Sequence, residues 1–134
     1  ELWTQQIGTA SAEWSFSVAV DASGNAYISG YTGGDLGGMN AGSYDAFLTK
    51  FDSSGNELWT QQIGTASYDA SYAVAVDASG NAYINGFTYG DLGGGGSAGD
   101  RDAFLIKFEN PVPEPATMSL LALGGLAILK RRNK

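Results

Sequence analysis

Apolar and polar residues alternate with a period of two in a series of short runs along residues 1–109, and clusters of Gly, Asn, Asp and Ser separate the runs. Alternation of this kind, bounded by turn-forming residues, predicts β-strands joined by tight turns. In Ser15–Asp21 the side chains of Phe16, Val18 and Val20 share one face, and Ser17 and Ala19 leave the other small enough for close packing. Ala26–Thr32 (AYISGYT) sets Tyr27 and Tyr31 on one side and Ile28 on the other. Asp45–Phe51 (DAFLTKF) sets Phe47 and Phe51 against Ala46 and Leu48, and Glu57–Ile63 (ELWTQQI) puts Trp59 and Ile63 on a common face. Four such strands per unit, rich in aromatic and β-branched residues, suit one blade of a β-propeller better than a helical solenoid.

The pattern is used twice. ELWTQQIGTAS begins at Glu1 and again at Glu57, and VAVDASGNAYI begins at Val18 and at Val74, both with an offset of 56 residues. A match this close at a fixed period means one supersecondary unit repeated. The connections DASGN (Asp21–Asn25), DSSGN (Asp52–Asn56) and DASGN (Asp77–Asn81) place Gly where a hairpin needs positive φ, after an Asp able to bond the turn backbone. The Gly-rich connections GGDLGGMNAGSYD and YGDLGGGGSAGDRD differ in length by one residue, the mark of a surface loop.

With the VAVD strand innermost, the expected organisation is a partial blade at 1–8, a full blade at 15–64 and a partial blade at 71–109. Glu1–Ile7 is then the outer strand of a preceding blade, and the last blade lacks its own outer strand. Propellers have about four to eight blades. The expected fold class is therefore all-β, a fragment of a larger propeller with an unpaired sheet edge. A chain that starts at Glu1 in mid-repeat reads as a fragment or processed product, so an export signal ahead of it would not be visible.

Charge narrows the function classes. Of seven basic residues, Lys130, Arg131, Arg132 and Lys134 lie in the last five positions, and all fourteen acidic residues precede them. The body up to Pro115 holds three basic residues against fourteen acidic ones, a charge of −11 that repels nucleic acid. Cysteine and histidine are absent, which removes disulfides, thiolate chemistry and the commonest general base.

Three sets of residues invite a chemical reading. Asp21, Asn25, Asp77 and Asn81 of DASGN supply oxygens as a calcium loop would, yet the EF-hand pattern fails because Ala26 stands where Gly is required. A structural turn is the preferred reading, with calcium in the GDLGG loops, through Asp35, Asp45, Asp91, Asp100 or Asp102, as the more open alternative. Glu13 and Asp69, one per repeat, could suggest paired glycosidase carboxylates, against the simpler reading of solvated loop charges. Trp3 and Trp59 follow the DSSGN-type turn in a way similar to the tryptophan-docking motif of quinoprotein propellers, but packing between sheets is the preferred role. No enzymatic activity, and no catalytic, cofactor or metal residue, is expected.

The series of DxSGN turn, AYI-G-T strand, GDLGG loop, DAFL-KF strand and ELWTQQIG strand resembles the SBBP-type β-propeller repeat of bacterial secreted and surface proteins, over Glu1 to about Glu109. The resemblance implies a scaffold and no particular catalytic residue.

The composition changes after Glu109. Pro111, Pro113 and Pro115 form a stiff spacer at 110–115, and Ala116–Leu129 is fourteen uncharged, mostly apolar residues ending at the basic cluster. Residues 116–134 read as a hydrophobic helix with a membrane stop at Lys130, Arg131, Arg132 and Lys134. Such a helix rises ~21 Å against a hydrocarbon core of roughly 30 Å, a deficit that snorkelling and local thinning reduce. Val112, Pro113, Glu114 and Pro115 with the apolar run and basic end resemble the PEP-CTERM sorting domain of exported bacterial proteins. That resemblance implies anchoring in the inner membrane with the C-terminus cytoplasmic, processing at VPEP by an exosortase-type enzyme, and delivery to the cell surface or extracellular matrix, where extracellular polysaccharide is a candidate partner. The expected function is an exported scaffold or binding protein. The alternatives are a carbohydrate- or calcium-binding module and, behind it, a quinoprotein-like or glycosidase-like enzyme.

Overall fold

A computed structural model describes residues 2–111. All regular structure among these residues is β-strand, in two antiparallel sheets. The first sheet contains β1 (Glu13–Val20), β2 (Ala26–Thr32), β3 (Asp45–Phe51) and β4 (Glu57–Ile63) in chain order. The second contains β5 (Asp69–Val76), β6 (Ala82–Thr88) and β7 (Asp102–Phe108), again in chain order. The expected C-terminal helix, the spacer from Val112 and the basic stop lie outside the described residues. Glu1–Ile7 was expected as an outer strand; the described residues 2–9 carry no ladder. They lie instead against the first sheet: the Trp3 Nε1–H donates to the Ser53 carbonyl at 3.2 Å, and the Trp3 ring stands 6.3 Å from that of Phe51.

The hairpin corners form as their residues dictate. Gly24, Gly55 and Gly80 take φ of 82°, 89° and 82°, which admits a tight turn that a side chain would resist. β1 and β5 each depart from regular pairing at one matching place. The register slips between Ser15 and Ser17 and between Ser71 and Ala73, so that Phe16 and Tyr72 are the extra residues of two β-bulges. Opposite each bulge is a glycine, Gly30 or Gly86, and a Cβ there would stand 1.7 Å from the Trp14 carbonyl oxygen or 1.9 Å from that of Ala70. The bulge interrupts the strict alternation expected of β1. From Ser17 onward the alternation holds, with Ser17 and Ala19 half-buried and Val18 and Val20 exposed.

The core lies between the sheets. Tyr27, Leu48 and Trp59 of the first pack on Val74, Ala82 and Ile84 of the second, with Ile63, Phe104, Ile106 and Phe108 around them. Trp59 is thus a core residue, its ring 6.3 Å from that of Tyr27 and nearly edge-on. The Val74 amide donates across the junction to Ser17 Oγ at 3.2 Å, and a parallel bridge joins Tyr44 to Tyr68. The small face of β1, Ser17 and Ala19, is what allows this approach.

Because the bulge admits no Cβ, Gly86→Ala should destabilise the fold by about 1–3 kcal/mol, measured as a lower urea midpoint. Ala at Gly93, which has no neighbour within 4 Å, should leave the midpoint nearly unchanged.

Candidate functional site

Each carboxylate considered from sequence can be followed to its partners. Asp21 Oδ1 accepts from the amides of Ser23 and Asn25 at 2.9 and 3.0 Å, while Oδ2 accepts from Asn25 Nδ2 and the Tyr27 hydroxyl at 2.9 and 3.0 Å. Asp77 repeats this with Ser79, Asn81 and Tyr83, and Asp52 with Ser54 and Asn56. The carboxylate oxygens of all three turns are therefore engaged by the turns' own donors. Burial pushes the Asp21 carboxyl up, but hydrogen bonds from Asn25, Tyr27 and Ser23 outweigh it and hold the group below its usual range. Bonds from the Asn81 amide group and backbone lower Asp77, and those from the Asn56 backbone and amide group lower Asp52. The Tyr27 hydroxyl is raised, by burial first and by Asp21 second.

Glu13 and Asp69 hold equivalent posts. Glu13 accepts from the Thr9 amide and hydroxyl and from the Thr32 hydroxyl, and Asp69 accepts from the Thr65 amide and hydroxyl and from the Thr88 hydroxyl. Thr9 and Thr65 in turn accept from the amides of Ser11 and Ser67. This is a latch that ties each GTAS segment to the end of a neighbouring strand. Burial raises Glu13, yet the Thr9 and Thr32 bonds prevail and its carboxyl lies below the ordinary value. One such carboxylate serves each repeat, in the same structural post.

The GDLGG loop of the first repeat is shaped by a residue that composition did not single out. Gln62 of β4 accepts the amides of Leu36 and Gly37 at 2.8 and 2.9 Å, and donates to the Gly34 carbonyl and Asp45 Oδ2, both at 2.9 Å. Asp45 also accepts from the Ala41 amide; its other oxygen, without a hydrogen-bond partner, faces Gly64 so closely that a Cβ there would sit 2.0 Å away. Asp35 accepts from the Asn40 amide and Asp102 from that of Ala98. Asp91 and Asp100 lie in the exposed loop before β7. Among the described residues no group of three or more acidic side chains is placed to hold a metal.

Sequence reading missed an aromatic band at one end of both sheets. Phe16 meets Tyr72 across the junction at 4.7 Å, Trp14 stacks on Tyr31 at 4.9 Å, and Tyr68 stacks on Phe87 at 5.4 Å. Tyr44 and Tyr89 complete it, and Trp14, Phe16, Tyr72 and Tyr89 remain half-exposed. A signal was present, since Phe16/Tyr72 and Tyr31/Phe87 are aromatic in both copies at the repeat offset. The three basic residues of the body also sit on rings, Lys50 over Tyr27, Arg101 over Phe87 and Lys107 over Tyr83. The sorting residues Val112, Pro113, Glu114 and Pro115, and the basic residues Lys130, Arg131, Arg132 and Lys134, lie outside the described residues.

The lowered carboxyls set an acid limit on stability. Their folded pKa values lie below the ordinary 3.8 of Asp and 4.5 of Glu, so their stabilisation is complete above those values and is lost as pH falls through the lower folded ones. The melting temperature should change little from neutral pH down to 4.5 and drop below 3.8. An Asp21→Asn/Asp77→Asn double variant should show a shallower acid drop in a thermal melt series.

Comparison with known proteins agrees with this repeated architecture. The beta-propeller repeat family (SBBP) matches residues 2–37 and 58–93, more than half of the chain, and the PEP-CTERM protein-sorting motif matches residues 111–134. The chain is 34% identical over 67 residues to the regulatory protein FlaEY of Caulobacter vibrioides, covering 48% of this chain and 7% of that protein. It is also 25% identical over 140 residues to the uncharacterized WD repeat-containing protein L264 of Acanthamoeba polyphaga mimivirus, covering 86% of this chain and 10% of that one. The chain thus spans 10% or less of the length of these two relatives. With the repeat found twice, on two sheets that share their turns, bulges and latches, the chain belongs to the SBBP beta-propeller repeat family and ends in a PEP-CTERM sorting motif.

Proposed function

We propose that the protein is an exported, non-enzymatic scaffold or binding protein displayed by its C-terminal tail. The observation that carries this reading is the PEP-CTERM match at residues 111–134, on a segment of VPEP, apolar run and basic end. The motif implies export, membrane association during sorting and processing by an exosortase-type enzyme. In the finer reading, residues 116–129 cross the inner membrane once with Lys130, Arg131, Arg132 and Lys134 in the cytoplasm, because basic residues are retained on that side. Cleavage near Val112, Pro113, Glu114 and Pro115 then releases the propeller repeats to the cell surface or extracellular matrix. The non-enzymatic assignment is supported by the carboxylates of both repeats, whose partners are turn and latch donors of the chain itself.

A second reading has one observation in its favour. The half-exposed aromatic band offers ring faces on which the C–H groups of a pyranose can lie. The body charge of −11 favours a neutral polysaccharide over an anionic one. On this reading the band, more than the Asp- and Gly-rich loops, is where glycan binds.

Removing Val112–Lys134 should move the protein from the membrane fraction to the soluble exported fraction; membrane association that persists after the deletion refutes the anchor. Replacing Glu114 by Ala should leave an uncleaved precursor visible by intact mass. For the glycan reading, Trp14→Ala should abolish retardation in a gel containing neutral polysaccharide, and a wild-type protein that shows no retardation excludes it.

A further inference from the structure

Three tyrosines meet where the two sheets join. Tyr31 lies near the end of β2, Tyr44 immediately before β3 and Tyr68 immediately before β5. Their ring centres stand 5.0 Å apart for Tyr31 and Tyr44, 5.1 Å for Tyr44 and Tyr68, and 5.5 Å for Tyr31 and Tyr68. The backbone holds them there: the parallel bridge joins Tyr44 to Tyr68, and the Asp69 amide donates to the Tyr44 carbonyl at 2.8 Å. Their polar ends converge as well. The Tyr68 hydroxyl is hydrogen-bonded to that of Tyr31, and its pKa is pushed up by burial first, then by this bond and by the nearby phenols of Tyr31, Tyr72 and Tyr44. All three rings of the trio are half-buried, and the half-exposed Tyr89, edge-on to Tyr68 at 6.1 Å, brings the cluster to the surface.

Packing alone does not ask for these hydroxyls. At the repeat offset of 56 residues Tyr31 corresponds to Phe87 and Tyr68 to Ala12, and across the loop that differs by one residue Tyr44 corresponds to Arg101. Phe87 stacks on Tyr68 and Tyr72 in the same band without a hydroxyl. The three phenols are therefore particular to this junction. Every contact among them runs between two repeats that adjoin in the chain, so further repeats on either side leave the cluster intact. The chain has no cysteine, and a disulfide cannot tie one sheet to the other.

We infer that Tyr31 and Tyr68 form an oxidative cross-linking site, at which hydrogen peroxide, used by a haem peroxidase, joins the two rings into a dityrosine staple between the repeats. Each phenol gives up one electron and one proton, and the two phenoxyl radicals combine through the ring carbons next to the oxygens. The hydrogen on each joined carbon then moves to its oxygen, which restores both rings, and the peroxide leaves as two molecules of water. The new bond lies between carbons adjacent to the hydroxyl-bearing ones, and hydroxyls already in contact bring those carbons together. This selects Tyr31 and Tyr68 within the trio. The bond closes a loop from residue 31 to residue 68 and constrains the unfolded chain as a disulfide would. The inference rests on ring geometry and stands apart from both export and glycan binding.

The full chain in detergent micelles, treated at low concentration with a haem peroxidase and hydrogen peroxide, tests it. The wild type should gain dityrosine fluorescence and lose the mass of two hydrogens while still running as one chain on a denaturing gel. Tryptic cleavage after Lys50 parts Tyr31 from Tyr68, so the bond should appear as two joined peptides, with fragment-ion sequencing placing it on those residues. Treatment should raise the melting temperature by at least about 5 °C. Tyr31→Phe and Tyr68→Phe should each abolish the intrachain product, and Tyr83→Phe, outside the cluster, should leave it unchanged. The wild-type peptide map needs no variant, so it decides the site even where a variant fails to fold. Products formed only between chains, a bond mapped to another pair, an undiminished product in either cluster variant, or an unchanged melting temperature would each overturn the inference.

Discussion

The structure depends on a sheet that is apolar on both sides. Strand geometry sends successive side chains to opposite faces, and here both faces carry large apolar residues: Tyr27 and Leu48 lie on one side of the first sheet, Val18, Ile28, Phe47 and Phe51 on the other. Water is a costly neighbour for such side chains, so covering a face with a second sheet is favourable. The junction of the two sheets shows the solution in one instance. Tyr27, Leu48 and Trp59 meet Val74, Ala82 and Ile84, and the small residues of β1 let the backbones approach until the Val74 amide reaches Ser17. The bulges at Phe16 and Tyr72 turn the inner strands at their ends and bring the aromatic band of both sheets together.

Polar groups in this fold serve the backbone. Each Asp of a DxSGN corner receives the amides of the turn it opens, and Glu13 and Asp69 receive the donors of the following or preceding threonines. Lys50, Arg101 and Lys107 rest on aromatic rings, so the cations too are drawn into packing. The Asp21, Asp52 and Asp77 carboxylates and those of Glu13 and Asp69 bind the chain to itself, in posts that recur from one repeat to the next.

Much of the architecture was legible in the chain. β2, β3 and β4 fall where the alternation of AYISGYT, DAFLTKF and ELWTQQI puts them, and the three Asp-to-Asn corners form hairpins with Gly at positive φ. β1 begins two residues before the expected start, because the bulge at Phe16 breaks the period by which the strand was read. The outer-strand character expected of Glu1–Ile7 depends on a ladder partner, which a run of alternating residues does not itself specify. The candidate site was less legible. Asp, Asn and Gly look alike in a turn and in a calcium loop until the direction of each amide is known. The aromatic band gathers residues from five separate segments, so no local window contains it. Gln62 reads as one polar residue of an outer strand, yet four hydrogen bonds make it the organiser of a distant loop.

That last feature gives the fold a direction in time. The GDLGG loop acquires its shape from a glutamine lying 25 to 28 residues further along the chain. Chains emerge N-terminus first, so such a loop has left the ribosome before the residue that organises it has been made. At residues 90–101, where no glutamine stands beside the loop among the described residues, Gly93, Gly94, Gly95 and Gly96 have nothing within 4 Å of a Cβ position. Each repeat therefore finishes the one before it. A stack built this way grows by retroactive ordering, each such loop waiting for a strand made after it.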